Sequence, residues 1–154
     1  MRSRWRAVSV ALALTAVFAR SAQAQTKEMH FGPHILYNFD LKDFGIGAQF
    51  SVPVAHYLEF YPSFDYYFVD GSAWALNADL KYRFAGQGWD WLYAGGGLNL
   101  THFAKTNANL NLIGGVESLR GTIHPFGEFR AILGHGSSVQ LAAGLNITLG
   151  SHRR

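Results

Sequence analysis

Eight charged residues recur at alternate positions within segments that are otherwise rich in aliphatic and aromatic side chains. They are Glu59, Asp65, Asp79, Lys81, Arg83, Glu117, Glu128 and Arg130. Charges of opposite sign in an enclosed interior can form ion pairs, provided that further hydrogen bonds offset their desolvation. The pattern therefore predicts a network of ion pairs that lines one face of these segments. A narrow gated pore lined by the same charges is the functional alternative.

The most enzyme-like stretch is Gly-His-Gly-Ser-Ser at residues 134–138. A nucleophilic serine needs a base within hydrogen-bond reach and an acid that orients that base. The last segment of the chain contains no acidic residue, and Glu128 is the nearest acid that we expect. A polar hairpin turn explains the stretch equally well, so we predict no catalytic residue here and no enzymatic activity.

No metal or cofactor site is expected either. The chain has no cysteine, which excludes thiol catalysis and cysteine-ligated zinc. His30 and His34 would lie about 13 Å apart along an extended strand, too far to share one metal ion. The run Gly95–Gly97 lacks the lysine and the following helix of a phosphate-binding loop.

The elements that must position the charges read as β-strands. Residues 74–84 place Trp, Leu, Ala, Leu, Tyr and Phe on one face and Ala, Asn, Asp, Lys and Arg on the other. This alternation has the period of a strand and not that of a helix. Seven further segments behave likewise: 30–40, 44–54, 58–68, 91–103, 109–119, 123–133 and 139–149. Eight strands of about ten residues, the length that crosses a bilayer when tilted, account for most of the chain.

The composition of the two faces indicates which face meets lipid. A soluble barrel should be dense in charge on its polar face, yet charged residues make up only 15% of this chain. The polar face instead carries Gly, Asn, Ser and Thr with single charges, which suits the crowded lumen of an eight-stranded barrel. A Lys or Arg facing lipid near mid-membrane would cost about 2–4 kcal/mol. We therefore predict an all-β fold: one closed, antiparallel, up-and-down transmembrane barrel with its charges inside.

Aromatic residues cluster where the strands of such a barrel would begin and end. If the strands run up and down in order, two groups form, one at each rim. The first is Tyr37, Phe39, Phe44, Tyr66, Phe68 and Trp74, and the second is Tyr82, Phe84, Trp89, Trp91 and Tyr93. Aromatic girdles are expected where amphipathic rings meet lipid headgroups.

The first 24 residues read as an export signal. Three arginines before residue 7 precede an apolar run over residues 7–19, and Ala22-Gln23-Ala24 is a small-x-small cleavage pattern. We predict a signal peptide over residues 1–24 and one barrel domain over residues 25–154. Four of the 13 basic residues lie in the leader and none of the 10 acidic ones do, so the remainder has a net charge of −1. Nucleic-acid binding therefore has no electrostatic basis.

With these features, residues 29–149 resemble the small outer-membrane β-barrels of the OmpA-transmembrane and OmpX type. The local match is the last hairpin, Pro125-Phe126-Gly127-Glu128-Phe129-Arg130 followed by Leu141-Ala142-Ala143-Gly144-Leu145-Asn146. The resemblance implies a monomer in the outer membrane of a Gram-negative bacterium, contacting outer-membrane lipid and, during assembly, the insertion machinery. Barrels of this type usually end on an aromatic residue, whereas the last strand here ends at Leu149.

The expected role is structural or surface-interacting, with a lumen filled by side chains. Three alternatives stay open at this point. One is the narrow gated pore, and a second is a lipid A-modifying enzyme, an activity that some eight-stranded outer-membrane barrels have. The third is a soluble periplasmic barrel, like a lipocalin, that holds a hydrophobic ligand inside.

Overall fold

The chain forms one closed antiparallel β-barrel of eight strands in sequence order, as the computed structural model of residues 28–84 and 88–150 shows. The strands are β1 Met29–Asn38, β2 Asp43–Ala55, β3 Leu58–Tyr67, β4 Ala73–Arg83, β5 Leu92–Phe103, β6 Lys105–Glu117, β7 Ile123–Leu133 and β8 Ser138–Leu149. Each strand pairs with the next, and β1 pairs with β8, so the barrel has no open edge. Closure satisfies the backbone hydrogen bonds that lipid cannot. The closed, antiparallel, up-and-down barrel predicted from the alternation is confirmed.

The apolar face of each strand points outward. Phe64, Leu80 and Leu145 are 45%, 46% and 44% exposed, whereas Asp79 and Lys81 are 0% and 1% exposed. This is the reverse of a soluble lipocalin-like barrel, whose apolar residues would fill the interior. The alternative of a hydrophobic ligand held in the lumen is therefore wrong. Within residues 28–84 and 88–150, no helix has the length and hydropathy of a membrane span.

The two ends of the barrel carry different connections between strands. We call distal the end with the β1–β2, β3–β4, β5–β6 and β7–β8 connections, and terminal the end where β1 begins and β8 finishes. The distal connections are short, and the β5–β6 connection is the single residue Ala104, with φ 63°. Here the expected start of β6 at residue 109 is wrong, because β6 begins at Lys105. Residues 105–108 carry no large apolar side chain on the outward face, so the sequence shows no alternation of apolar and polar residues there.

Aromatic residues do line both rims, with one exception. Phe39, Phe44 and Phe68 are exposed near the distal end, and Trp89 and Trp91 are exposed near the terminal end. Tyr93, expected in the terminal girdle, is 1% exposed and lies in the lumen. Its position on β5 opposite Arg83 places it on the inward row.

The seam between β1 and β8 has a gap in its ladder. Residues Met29–Phe31 and His34–Asn38 pair with β8, but Gly32 and Pro33 have no pairing there. Proline has no backbone N–H to donate. By contrast, β4 and β5 pair at every position from Ala73 to Arg83.

Candidate functional site

The structure places all eight charged residues in the lumen, on the inner rows of β3, β4, β6 and β7. Their exposure ranges from 0% for Asp79 to 7% for Arg83. They fall into two groups at different depths. The first, which we call the balanced cluster, is Glu59, Lys81, Arg83 and Glu117. The second, which we call the acid-rich cluster, is Asp65, Asp79, Glu128 and Arg130.

In the balanced cluster each cation contacts both carboxylates. Lys81 Nζ lies 3.1 Å from Glu59 Oε2 and 3.3 Å from Glu117 Oε2. Arg83 Nη2 lies 3.3 Å from Glu59 Oε1 and 2.8 Å from Glu117 Oε2. Two negative and two positive charges thus form a closed ring with no net charge.

Neutral groups add further contacts to the balanced cluster. The Ser51 hydroxyl donates to Glu59 Oε2, and Asn146 Nδ2 donates to Glu117 Oε1 at 2.7 Å. Lys81 Nζ also lies 4.3 Å from the ring centre of Tyr61 and 4.8 Å from that of Tyr93. A buried ammonium between two aromatic faces gains cation–π stabilisation in addition to its ion pairs.

The acid-rich cluster is built around one guanidinium. Arg130 Nη2 lies 3.0 Å from Glu128 Oε1 and 3.2 Å from Asp79 Oδ2, and Nη1 lies 3.7 Å from Asp65 Oδ2. Three carboxylates therefore share one permanent cation. A guanidinium suits this arrangement because its planar fork presents several donors at once.

Other side chains contact the carboxylate oxygens that Arg130 does not reach. Asn111 Nδ2 donates to Asp79 Oδ1 at 3.0 Å, and the Tyr93 hydroxyl donates to Glu128 Oε2 at 2.9 Å. His34 Nε2 lies 2.8 Å from Asp65 Oδ1. In the sequence, His34 raises only the question of a metal site with His30, whereas in the structure it is 7% exposed and contacts the network directly.

The His34–Asp65 contact requires a glycine beside it. A Cβ at Gly47 would collide with His34 Nε2 and would lie 2.5 Å from Asp65 Oδ1. Glycine here leaves room for the imidazole to cross the lumen, the relief of crowding that the sequence indicated for the inner row.

A chain of asparagine amides extends the network toward the distal end, and the sequence did not single it out. Asn77 Nδ2 donates to Asp65 Oδ2 at 3.1 Å, and its Oδ1 accepts from Asn99 Nδ2 at 2.8 Å. Asn109 Nδ2 in turn donates to Asn99 Oδ1 at 3.1 Å. The alternation places these asparagines on the inward row, but it does not indicate which residues their amides contact.

The first four residues of the Gly-His-Gly-Ser-Ser stretch form the β7–β8 connection at the distal end, and Ser138 begins β8. Ser137 Oγ lies 3.5 Å from the carbonyl oxygen of Gly134, within its own turn. The nearest acid is not Glu128, as expected, but Asp40 of the β1–β2 connection, whose Oδ2 accepts from Val139 N at 2.9 Å. The sequence missed Asp40 because barrel closure brings it next to β8 from 99 residues away.

The two clusters are surrounded by other buried side chains of the lumen. Tyr61, Tyr93, Lys81 and Arg130 are almost fully buried, so side chains are packed closely in the lumen around the clusters. Among the described residues, no three His, Asp or Glu side chains group so as to hold a metal ion.

Comparison with known proteins shows the fold. No family model matches the sequence, and no curated protein matches it. Among solved structures, the N-terminal β-barrel domain of Pseudomonas aeruginosa OprF is similar, with TM-score 0.64, 12% identity, and coverage of 79% of this chain and 97% of that one. Neisserial surface protein A matches with TM-score 0.52 and 15% identity over 79% of this chain and 95% of that one. The Yersinia pestis outer membrane protein Ail matches with TM-score 0.50 and 11% identity over 79% of this chain and 100% of that one. The protein therefore has the fold of the small eight-stranded outer-membrane β-barrels.

Proposed function

We propose that the protein is an integral outer-membrane barrel with a structural or surface-interaction role and a lumen closed by its two ionic clusters. The observation that carries this is the division of the strands into an exposed apolar row and a buried ionic row. Exposed Leu and Phe side chains around the barrel need an apolar solvent, and the acyl chains of a bilayer supply it. The likeness to Ail, an outer membrane protein, and to a neisserial surface protein supports the same compartment.

The membrane assignment is tested by fractionation. We expect the protein in the outer-membrane fraction of its host, with folded and boiled samples migrating differently on a denaturing gel. Mutating Leu80→Lys on the lipid-facing row should reduce insertion, whereas Asn99→Ser inside should not. Recovery of the folded wild-type protein from the periplasm without detergent would contradict the proposal.

The closed lumen is tested by conductance. Opening a path through the balanced cluster would separate ion pairs that are buried, and breaking a buried pair costs about 3–5 kcal/mol. We therefore expect planar bilayers that contain the wild-type protein to stay silent. Steady channels whose conductance changes with Arg83→Gln would instead establish the gated pore.

We infer no catalytic role, and the lipid A alternative has a direct test. The Ser137 hydroxyl contacts its own turn, and Asp40, an acid beside this turn, accepts a backbone N–H from β8. Mass spectrometry of lipid A from cells with and without the protein should show the same acyl pattern. A change that is lost in a Ser137→Ala variant would establish the enzyme.

A further inference from the structure

Two glycines on the outward face of the barrel, Gly114 of β6 and Gly127 of β7, are not required by the barrel itself. Neither has a positive φ. A Cβ at Gly114 would meet nothing within 4 Å, and one at Gly127 would meet only Val116 Cγ2 at 3.9 Å. Every other glycine within residues 28–84 and 88–150 either has a positive φ or lies where a Cβ would come within 3.0 Å of another atom. A glycine inside a strand weakens it, and it often marks a place where another backbone or a ligand approaches closely.

The two glycines line one apolar depression on the outward surface. Its volume is about 500 Å³, and its lining also includes Ile35, Phe129 and Ala143. Gly127 pairs with Ala143 of β8, and Gly114 pairs with Phe129 of β7, so small residues of three adjacent strands meet here. Ile35 and Phe129 are 62% and 47% exposed and stand beside these small residues. The depression therefore has a projecting aromatic ring directly next to it.

The side of the barrel formed by β5–β8, which we call the β5–β8 wall, also differs from the other side in its aromatic residues. The exposed aromatic residues of β2–β4 are Phe44, Phe50, Phe64, Tyr66 and Tyr82. Among the residues of β5–β8, all of which the structure describes, Phe129 is the one exposed Phe, Tyr or Trp. Because aromatic rings anchor a membrane protein at the lipid headgroups, the β5–β8 wall has fewer such anchors than the opposite side.

The β5–β8 wall is also large enough for a protein partner, whereas the distal connections are not. The longest distal connection is residues 68–72, and the β5–β6 connection is Ala104 alone. Four strands at roughly 4.8 Å each make the wall about 19 Å wide. With an apolar band about 25 Å tall, each copy offers roughly 480 Å². Two copies together approach the roughly 1,000 Å² of a specific interface.

We propose that the β5–β8 wall is the contact surface of a symmetric dimer, in which Phe129 of each copy packs into the depression beside Gly114 and Gly127 of the other. A projecting ring next to a depression is self-complementary about a twofold axis. Fluid acyl chains adapt to any apolar surface and need no glycine, whereas a side chain of fixed shape does. Association within a bilayer depends on close packing, which small residues permit between membrane helices.

The dimer rests on the proposed function insofar as the wall must lie in a bilayer. It gives the surface-interaction role a partner, a second copy of this chain. This differs from the monomer that the resemblance to small outer-membrane barrels implies.

The test is crosslinking of the full-length protein in phospholipid vesicles at several ratios of protein to lipid. The chain has no cysteine, so one introduced cysteine reports on one position. Ala131→Cys lies next to Phe129 on the outward row of β7, and Ala78→Cys on the outward row of β4 is the matched control. With a short bismaleimide reagent, we expect a band of twice the monomer mass from Ala131→Cys and none from Ala78→Cys.

Variants of the depression separate packing between copies from folding of one copy. Gly127→Leu, added to Ala131→Cys, occupies the depression, and the barrel should fold because a Cβ at this position meets no close atom. It should weaken dimerisation by about tenfold or more, as expected for overpacking a close contact. Ala78→Leu adds bulk to β4 instead and should leave dimerisation unchanged. Heat-modifiable migration shows that each variant is folded.

Each outcome decides the inference. Crosslinking of Ala131→Cys that Gly127→Leu removes and Ala78→Leu leaves unchanged supports the dimer. A monomer at every ratio, equal crosslinking of Ala131→Cys and Ala78→Cys, or crosslinking that survives Gly127→Leu overturns it. A monomer that retains a phospholipid in native mass spectrometry, lost in Gly127→Leu, overturns it in favour of a bound acyl chain.

Failure of the dimer is distinguishable from failure of the proposed function. If the protein fractionates with the outer membrane but stays monomeric in vesicles, only the dimer is wrong. If the folded protein is recovered without detergent, the proposed function fails independently of the crosslinking.

Discussion

Both ionic clusters place charged side chains in a narrow lumen, but they balance the charges in different ways. The balanced cluster matches two carboxylates with two cations and closes on itself. The acid-rich cluster places three carboxylates around Arg130, and Asn111, Tyr93 and His34 contact the remaining oxygens. Because a buried charge is tolerated only when it is paired and hydrogen-bonded, the second cluster depends on one residue far more than the first does. The two clusters are similarly buried, but we expect the acid-rich cluster to be more sensitive to a single substitution.

The largest effect is expected from removing the shared guanidinium. Arg130→Met would leave Asp65, Asp79 and Glu128 close together with no permanent cation. We expect the free energy of unfolding to fall by at least about 3–5 kcal/mol, the cost of breaking a buried pair. Urea unfolding in lipid vesicles measures it. Arg120→Met, at the exposed β6–β7 connection, is the matched control and should change stability by less than about 0.5 kcal/mol.

A stable Arg130→Met barrel would show that the three carboxylates do not depend on this cation. The contrast between the two clusters would then be wrong.

A smaller effect is expected in the balanced cluster, because it has a second cation. Lys81→Met leaves Arg83 in contact with both Glu59 and Glu117. We expect a loss of about 2–3 kcal/mol, below that of Arg130→Met. The double variant Lys81→Met with Glu59→Gln restores neutrality and should recover part of that loss, with a coupling of about 0.5–3 kcal/mol.

Additive effects of the two substitutions in the urea experiment would contradict the ring arrangement. They would mean that Lys81 and Glu59 do not interact in the folded protein.

The smallest change in stability is expected at the His34–Asp65 contact of the acid-rich cluster. Gly47→Ala puts a methyl group where the imidazole crosses the lumen and should cost about 1–3 kcal/mol through overpacking. Gly114→Ala, on the lipid-facing row of β6 with nothing within 4 Å of the added Cβ, is the control and should be nearly neutral. Equal stability of the two variants would indicate that His34 adopts another position.

The strand rows were predictable from the sequence because the side-chain period of a strand is two, and a lipid-facing row tolerates almost no charge. The same rule placed Asp79 and Lys81 inside. The rule failed for Tyr93 for two reasons. The glycine run Gly95–Gly97, which follows Tyr93, interrupts the alternation of side chains along β5. Tyrosine also suits both a membrane rim and a polar lumen. The rule also could not locate the start of β6.

The partners within the lumen were not predictable. Lys81 contacts Glu117 from 36 residues away, and His34 contacts Asp65 from 31 residues away. Which residues meet across a barrel depends on the stagger of its strands, and alternation within one strand does not determine that stagger. For the same reason the approach of Asp40 to β8 could be found only from the closed structure.

The gap that Gly32 and Pro33 leave in the β1–β8 ladder is a place where two strands can separate locally, as is the interruption at Phe50 and Ser51 in the β2–β3 ladder. Backbone amide protons beside these gaps are released by a local separation of two strands, whereas those between β4 and β5 need a larger unfolding event. We therefore expect deuterium to exchange earlier at backbone amides beside these two gaps than at those between β4 and β5.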